Sequence, residues 1–277
     1  MNKTAMWAIA QKDMNAIRTN SQIWVPMIIV PLVLGVILPV VAVIVIKSMG
    51  ADSINSLNKI VELIGKLPAG DLKDSFDSLP TVNHQLIYML VNYFFVPFFL
   101  LIAVMASMMI AANSFVGEKE RRTLESLLFA PIDITALFVG KVLAAFLPAM
   151  VLTLTTFILY GGLVNALTYS MFDGLLVPTW NWLTLIVWVV PMISLCTILF
   201  CTLISARVKG FQEAQQLGGV IVLPVVGLVI SQATGLMFLQ TSVLLIIGAV
   251  LLAANLLLLR QIAKMNQRDV LFEKQVH

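Results

Sequence analysis

The sequence predicts an all-helical integral membrane protein with six transmembrane helices. Hydrophobic residues make up 60% of the 277-residue chain and charged residues only 11%, whereas soluble domains carry about 25% charged residues. The apolar runs are long and continuous, unlike the short alternating segments of a transmembrane β-barrel. Six of these runs approach the ~20 residues that a helix needs to cross a bilayer. We place them at residues 24–46, 86–112, 134–164, 180–205, 217–232 and 236–259.

Residues 1–22 precede the first apolar run and are predicted to form an amphipathic helix that lies in the membrane interface. Apolar side chains recur there at helical spacing, at Met6, Trp7, Ala10, Met14 and Ile17. The basic residues of the segment would then face the lipid headgroups. The run 24–46 is longer than the core of a signal peptide, and it is therefore predicted to be a retained span.

The distribution of basic residues predicts that both termini are cytoplasmic. Four of the seventeen lysines and arginines lie between the first two spans, which leaves thirteen on the other side of the membrane. Short cytoplasmic loops are enriched in lysine and arginine. Residues 47–85 are therefore predicted to form an extracellular loop, and residues 260–277 a cytoplasmic tail.

A charged segment, residues 117–131, joins the second and third spans and reads GEKERRTLESLLFAP. Its basic residues favour the cytoplasmic side, but acidic residues contribute little to orientation, so its glutamates need another explanation. On a helix, Glu118 and Arg122 form an i, i+4 pair, and Arg121 and Glu125 form another. The segment is predicted to be either a short helix that docks on a soluble partner or a solvated connector.

The segment resembles the signature of ABC-2 type permeases, the membrane subunits of bacterial ABC exporters. The matching residues are Glu118, Glu120, Thr123, Glu125, Leu127, Leu128 and Pro131, followed by Gly140-Lys141 at the start of the third span. Lys12-Asp13 with Arg18, just before the first span, is similar to the same family. The six-span layout also agrees, so the resemblance covers nearly the whole chain.

The resemblance implies that residues 117–131 form a coupling helix inserted into a groove on a cytoplasmic ABC ATPase subunit. It also implies that residues 1–22 form a connecting helix along the membrane. The expected docking residues are Glu118, Glu120, Arg121, Arg122, Thr123, Glu125, Leu127, Leu128 and Pro131. Lys141 is expected to anchor the third span at the headgroups, for which snorkelling is a sufficient explanation.

No phosphate-binding G-x-x-x-x-G-K-[ST] motif occurs in the sequence. ATP and Mg are therefore expected in the partner ATPase, and this chain is predicted to bind no cofactor or metal and to be no enzyme. An intramembrane hydrolase is a third hypothesis, but the only histidines are His84 and His277, and H-E-x-x-H is absent.

The predicted spans contain uncharged polar residues but essentially no ionisable groups, which argues against a secondary transporter. Most of the polar residues are predicted to link helices: Asn92, Ser107, Asn113, Thr153, Thr155, Thr156, Ser194, Thr197 and Asn255. A minority of the residues in the spans would line a path for cargo. The candidates are Asn92, Met105, Met108, Met109 and Asn113, for which ordinary packing is the alternative.

The predicted function is that of a permease subunit of an ATP-driven ABC exporter in a bacterial cell (plasma or inner) membrane. It would pair with a second permease chain, either a copy of itself or a paralogue, and contact lipid but no nucleic acid. Its cargo would be apolar or amphipathic: a hydrophobic peptide, a drug or a lipid-like molecule. The alternative is a non-transporting membrane scaffold that recruits a cytosolic partner through the 117–131 helix.

Overall fold

The computed structural model describes residues 3–48, 76, 78–117, 134–205, 207–208 and 210–265. Across these residues the fold is helical and contains no β-strand, which confirms the predicted class. Helix α1 (Lys3–Thr19) precedes six helices that are long and apolar enough to cross a membrane, as predicted. These are α2 (Ile23–Ser48), α3 (Val82–Gly117), α4 (Thr135–Phe172), α5 (Trp180–Ser205), α6 (Phe211–Ala233) and α7 (Thr241–Lys264).

Parts of three predicted segments fall outside the described residues. The loop 47–85 is described only at 47–48, 76 and 78–85, the segment 117–131 only at Gly117, and the tail 260–277 only up to residue 265. Four helices also differ from their predicted spans by several residues. Helix α3 runs over Val82–Gly117 and α7 over Thr241–Lys264. Helix α4 continues to Phe172, and α6 begins at Phe211 because the polar residues before the apolar run belong to the same helix.

The helix ends gather in two groups, which define two ends of the bundle. At the first, named here the α1 end, α1 packs against the start of α4 and the last turn of α3. At the opposite end, named the far end, Lys47 Nζ at the end of α2 donates to Leu167 O near the end of α4 at 2.8 Å. Also at the far end, His84 Nε2 near the start of α3 lies 2.9 Å from Met171 O.

Helix α3 is the centre of the bundle. Most of its residues are buried, and it contacts α2, α4, α5 and α6. The core includes three aromatic rings from α3, α4 and α5, those of Phe99, Tyr160 and Trp182, with centroids 5.0–5.3 Å apart. Helices α6 and α7 instead leave most of their apolar side chains exposed, which suits elements that meet lipid or a second apolar chain.

Wide π-helical turns interrupt α2, α3 and α5 shortly before a proline. The turns are Val33–Ile37, Leu90–Phe94 and Leu185–Val189, and the prolines are Pro39, Pro97 and Pro191. Proline has no backbone N–H, and its ring clashes with the carbonyl four residues earlier, which in each helix lies inside the wide turn. A buried hydroxyl also donates into the wide turn of α3, from Tyr160 Oη to Val91 O at 2.8 Å.

Threonines in the spans bond within their own helices, which corrects the expectation that they link helices. Each of four hydroxyls donates at 2.8 Å to the carbonyl four residues earlier, those of Thr153, Thr155, Thr156 and Thr197. A β-hydroxyl reaches the preceding turn without any neighbouring helix. The longer Asn255 does link helices, since its Nδ2 donates to Met192 O at 2.9 Å.

The N-terminal helix is present, and one of its faces packs against the bundle. Of the predicted apolar stripe, Ala10 and Ile17 are buried in the bundle, whereas Trp7 is 52% exposed, and its contact with lipid stays a prediction. The other buried residues are Ile9 and Asp13. An acidic residue on the packed face of an amphipathic helix needs a partner, and that partner lies on α4.

Candidate functional site

Helix α1 approaches α4 at Gly140, near the start of α4. A Cβ built on Gly140 would lie 2.8 Å from the Met6 carbonyl oxygen and 3.2 Å from Ile9 Cβ. Real Cβ atoms essentially never come as close to a backbone oxygen as 2.8 Å. The absence of a side chain at Gly140 therefore lets the two backbones meet, and it brings the next residue, Lys141, under α1.

Asp13, Ser114 and Lys141 form a buried polar cluster between α1, α3 and α4. Ser114 Oγ donates to Asp13 Oδ2 at 2.5 Å, and Lys141 Nζ donates to Ser114 O at 2.6 Å. Lys141 Nζ lies 3.6 Å from Asp13 Oδ2 and 5.5 Å from the centroid of the Phe115 ring. The exposed fractions are 5% for Asp13, 3% for Ser114 and 3% for Lys141.

The cluster satisfies two charges that would otherwise be costly to bury. An isolated charge in a low-dielectric interior costs several kcal/mol, and a pair is tolerated when hydrogen bonds satisfy the remaining groups. Here the carboxylate of Asp13 has both a hydroxyl donor and a cation, and the ammonium of Lys141 has both a carbonyl acceptor and an anion. Removing any one of the three side chains would cost at least one of the others a buried hydrogen bond or ion pair.

The position of the cluster links α1 to both helices that flank residues 118–133. Ser114 lies in the last, π-helical turn of α3, three residues before Gly117, the last described residue ahead of that segment. Lys141 lies in the second turn of α4, which starts directly after the segment. The cluster therefore ties α1 to the two helix ends that border residues 118–133.

A second apolar contact joins the same end of α3 to the α5–α6 connection. Ala112 and Val116 pack with Val208 and Ala214, and the partly buried Ile204 and Phe211 cover them. The end of α3 is thus held on one side by the polar cluster and on the other by this apolar group.

The predicted docking residues lie outside the described residues. These are Glu118, Glu120, Arg121, Arg122, Thr123, Glu125, Leu127, Leu128 and Pro131. Their docking role stays a prediction, and the buried cluster fixes only the two helix ends between which they lie.

Comparison with known protein families decides the identity of the chain. Residues 7–269 match the family described as ABC-2 family transporter protein, a range that contains α1 from Trp7 onward, the whole six-helix bundle and the polar cluster. The chain belongs to the ABC-2 transporter family. No curated protein and no solved structure matched it.

Family membership makes the chain a multi-pass membrane protein and a component of an ABC transporter. An ABC-2 permease is a transport component that is not itself catalytic, and members of the family generally work with ATPase subunits. The family match therefore agrees with the resemblance that the charged segment and the Gly140-Lys141 pair indicated.

The predicted cargo-path residues of this ABC-2 permease lie at different levels of α3. Asn92 is 1% exposed near the far end, where its Oδ1 accepts from Thr179 Oγ1 at 3.1 Å. Met108 and Met109, each 8% exposed, lie in a buried apolar cluster near the α1 end. Met105 and Asn113 are half-buried. Their role in a path stays a prediction.

The sequence-based analysis missed the contact between Asp13 and Lys141. Both residues belong to the short patterns similar to ABC-2 permeases, Lys12-Asp13 and Gly140-Lys141, but the two patterns lie far apart in the sequence. The expectation that Lys141 reaches the headgroups is corrected by its burial beneath α1. The available signal was an acidic residue before the first span and a lysine inside the third, which are opposite charges that burial would bring together.

Proposed function

We propose that this ABC-2 permease is one half of the membrane pathway of an ATP-driven exporter for apolar or amphipathic molecules. A separate cytoplasmic ABC ATPase binds residues 117–131, and a second permease chain completes the pathway in a bacterial cell membrane. The α1 end is cytoplasmic, in keeping with the basic residues Lys12, Arg18, Lys141, Arg207 and Lys264 found there.

The observation that carries the proposal is the buried cluster of Asp13, Ser114 and Lys141 beside the predicted coupling segment. Buried, hydrogen-bonded charge pairs are costly to separate, so α1 and the adjoining ends of α3 and α4 move as one body. Because α3 contacts four of the other long helices, its displacement changes packing through the whole bundle. Closure of the ATPase would thus alter access to the pathway.

The outer surface of the bundle supports an apolar or amphipathic cargo. Large apolar side chains are exposed along α4, α6 and α7, for example Ile158, Leu223 and Ile246, which are 70%, 67% and 64% exposed. Surfaces of this kind face lipid or a second apolar chain. A pathway between two such chains has walls suited to hydrophobic peptides, drugs or lipid-like molecules rather than to bare ions.

The proposal is tested with the complex purified from its host and reconstituted in proteoliposomes. Glu118→Lys with Glu120→Lys is expected to leave insertion intact and to abolish both ATPase binding and cargo-stimulated ATP hydrolysis. The matched control is Gln261→Lys, which adds a cation to an exposed position at the same end of the bundle and is expected to behave as the wild type.

The same experiment separates the exporter from the membrane scaffold. A scaffold would bind a cytosolic partner through residues 117–131 without ATP-dependent movement of any amphipathic compound. Unchanged transport in the double variant would contradict the coupling role of Glu118 and Glu120.

A further inference from the structure

A cavity of about 770 Å³ opens at the far end of the bundle, between α3, α5 and α7. Its volume falls within the range of about 300–1,000 Å³ that is usual for small-molecule sites. It lies at the opposite end from the polar cluster and shares no residue with it. Its lining therefore needs an explanation of its own.

The lining combines aromatic rings with uncharged hydrogen-bonding groups. Tyr88, Tyr93 and Trp180 supply the rings, and Leu183 adds an apolar side chain. The hydrogen-bonding side chains are Thr179, Asn181, Gln240, Thr241 and Ser242. None of the described residues that line the cavity is acidic or basic, so they offer no counter-ion to a charged ligand group.

Hydrogen bonds between separate elements fix the walls of the cavity. Thr241 Oγ1 donates to Asn181 Oδ1 at 2.6 Å, which joins α7 to α5. Thr179 Oγ1 donates to Asn92 Oδ1 at 3.1 Å, which joins the loop before α5 to α3. A cavity whose walls are already bonded to one another loses little entropy when a ligand enters.

The loop that leads into the cavity wall is fixed by a single side chain of α4. Asn165 Oδ1 accepts from the backbone N–H groups of Leu176 and Val177 at 2.9 and 3.0 Å, and its Nδ2 donates to Val177 O at 2.6 Å. Thr179 follows directly on this fixed stretch. Thr179 bonds to Asn92 Oδ1. The buried Nδ2 of the same Asn92 side chain has no hydrogen-bond partner within the part of the chain that the structure describes.

We infer that this cavity binds the uncharged, hydroxyl-bearing head group of an amphipathic molecule. Aromatic faces cover the C–H faces of a saturated ring, and side-chain amides and hydroxyls donate to and accept from its hydroxyl groups. The apolar tail lies along the exposed leucines at the same end, Leu183 at 39% and Leu236 at 83% exposure. The assignment rests on the proposed function in one respect, because it names the head group of the exported cargo.

The test is direct binding to the permease alone, held in lipid nanodiscs without any glycoside detergent. Radiolabelled decyl glucoside is the probe, and decyl sulfate and decyl trimethylammonium are charged competitors of equal chain length. Saturable binding of the glucoside is expected, with charged competitors about tenfold or more weaker. Equal competition by either charged compound would overturn the assignment.

Variants of the lining locate the bound head group. Trp180→Ala removes a ring that is 78% exposed, so it is expected to leave the fold intact and to weaken binding by about threefold to tenfold. Gln240→Ala is expected to weaken binding to a similar degree through a lost hydrogen bond. The control is Leu175→Ala, which lies at the same end, is 75% exposed and does not line the cavity. Wild-type affinity in both lining variants would overturn the assignment.

ATP hydrolysis by the full complex separates this inference from the proposed function. If decyl glucoside binds the permease but no amphipathic compound stimulates hydrolysis, the site stands and the exporter proposal fails. If other amphipathic compounds are transported while the glucoside shows no saturable binding, the exporter stands and the head-group assignment fails.

Discussion

Asp13 and Lys141 lie with Oδ2 and Nζ 3.6 Å apart in the interior, although one belongs to the N-terminal helix and the other to α4. Ser114 of α3 bonds to both, through its hydroxyl to Asp13 and through its carbonyl to Lys141. The three residues therefore join the elements around the predicted ATPase-docking segment. Their contribution to stability and to coupling can be measured separately.

Removing one charge of the pair is expected to destabilise the protein more than removing both. Lys141→Met removes the buried cation and leaves the Asp13 carboxylate with only the exposed Lys12, whose Nζ lies 3.6 Å from Asp13 Oδ1, at a cost of up to about 3–5 kcal/mol. Adding Asp13→Asn removes that charge and keeps an acceptor for Ser114 Oγ, so the double variant should recover part of the loss. The free energy of unfolding in mixed micelles measures both. Lys264→Met, at an exposed site on α7, serves as the control.

A double variant that is as unstable as the sum of its two single variants would show that the charges are not coupled. The exporter proposal adds a second expectation for the same proteins. Where the double variant folds, it should bind the ATPase normally but show weaker stimulation of hydrolysis by cargo, because α1 is no longer held by an ion pair.

Gly140→Ala is expected to displace α1 from α4. The new Cβ would meet the Met6 carbonyl oxygen at 2.8 Å, and overpacking of this kind costs about 1–3 kcal/mol. Gly162→Ala in the same helix is the matched control, because its Cβ would meet no atom within 4 Å. That control should be neutral or stabilising by up to about 1 kcal/mol, since alanine favours helix. The melting temperature should fall for Gly140→Ala and should stay unchanged or rise for Gly162→Ala. Equal shifts in the two variants would contradict the close approach of α1 to α4.

Tyr160→Phe removes the hydroxyl that donates to Val91 O within the wide turn of α3. Loss of this buried hydrogen bond is expected to lower the free energy of unfolding by about 0.5–1.5 kcal/mol. Tyr169→Phe is the control in the same helix, because Tyr169 is 59% exposed. Unfolding by denaturant should separate the two variants. A Tyr160→Phe protein as stable as the control would show that this hydrogen bond contributes nothing.

The predicted orientation places the far end outside the cell. Leu175→Cys and Gln261→Cys are exposed positions at opposite ends of the bundle, and they are introduced after the free Cys196 and Cys201 are replaced by alanine. A membrane-impermeant maleimide should label Leu175→Cys on intact cells. Gln261→Cys should react only after the membrane is permeabilised, and the reverse pattern would invert the topology.

The fold class was predictable from the sequence because each span must bury its backbone polar groups within its own helix. Composition and run length therefore indicated six apolar helices, and the structure contains six of the required length. Periodicity was less informative for α1. Its apolar spacing indicated a helix, but the buried face depended on Gly140, whose small size matters only once α4 lies beside it.

The contacts of Lys141 in the buried polar cluster were not predictable from the sequence, because they too depend on tertiary packing. A lysine near the end of an apolar run has two outcomes, snorkelling to the headgroups or burial with an anion, and only the tertiary packing decides between them. Lys141 takes the second because Asp13 and Ser114 O are within reach. Threonine partners were misjudged in a similar way, since local hydroxyl–carbonyl bonds compete with contacts between helices.

The wide turns before Pro39, Pro97 and Pro191 bear on how the bundle changes shape. Bending a regular helix in lipid strains or breaks a backbone hydrogen bond, and each bond lost there costs several kcal/mol. Near each of these three turns one backbone hydrogen bond is already missing, because proline has no N–H donor. Helices α2, α3 and α5 can therefore pivot at these points at low cost. We expect alternating access to use them, with the portions nearer the far end tilting while the α1 end stays rigid.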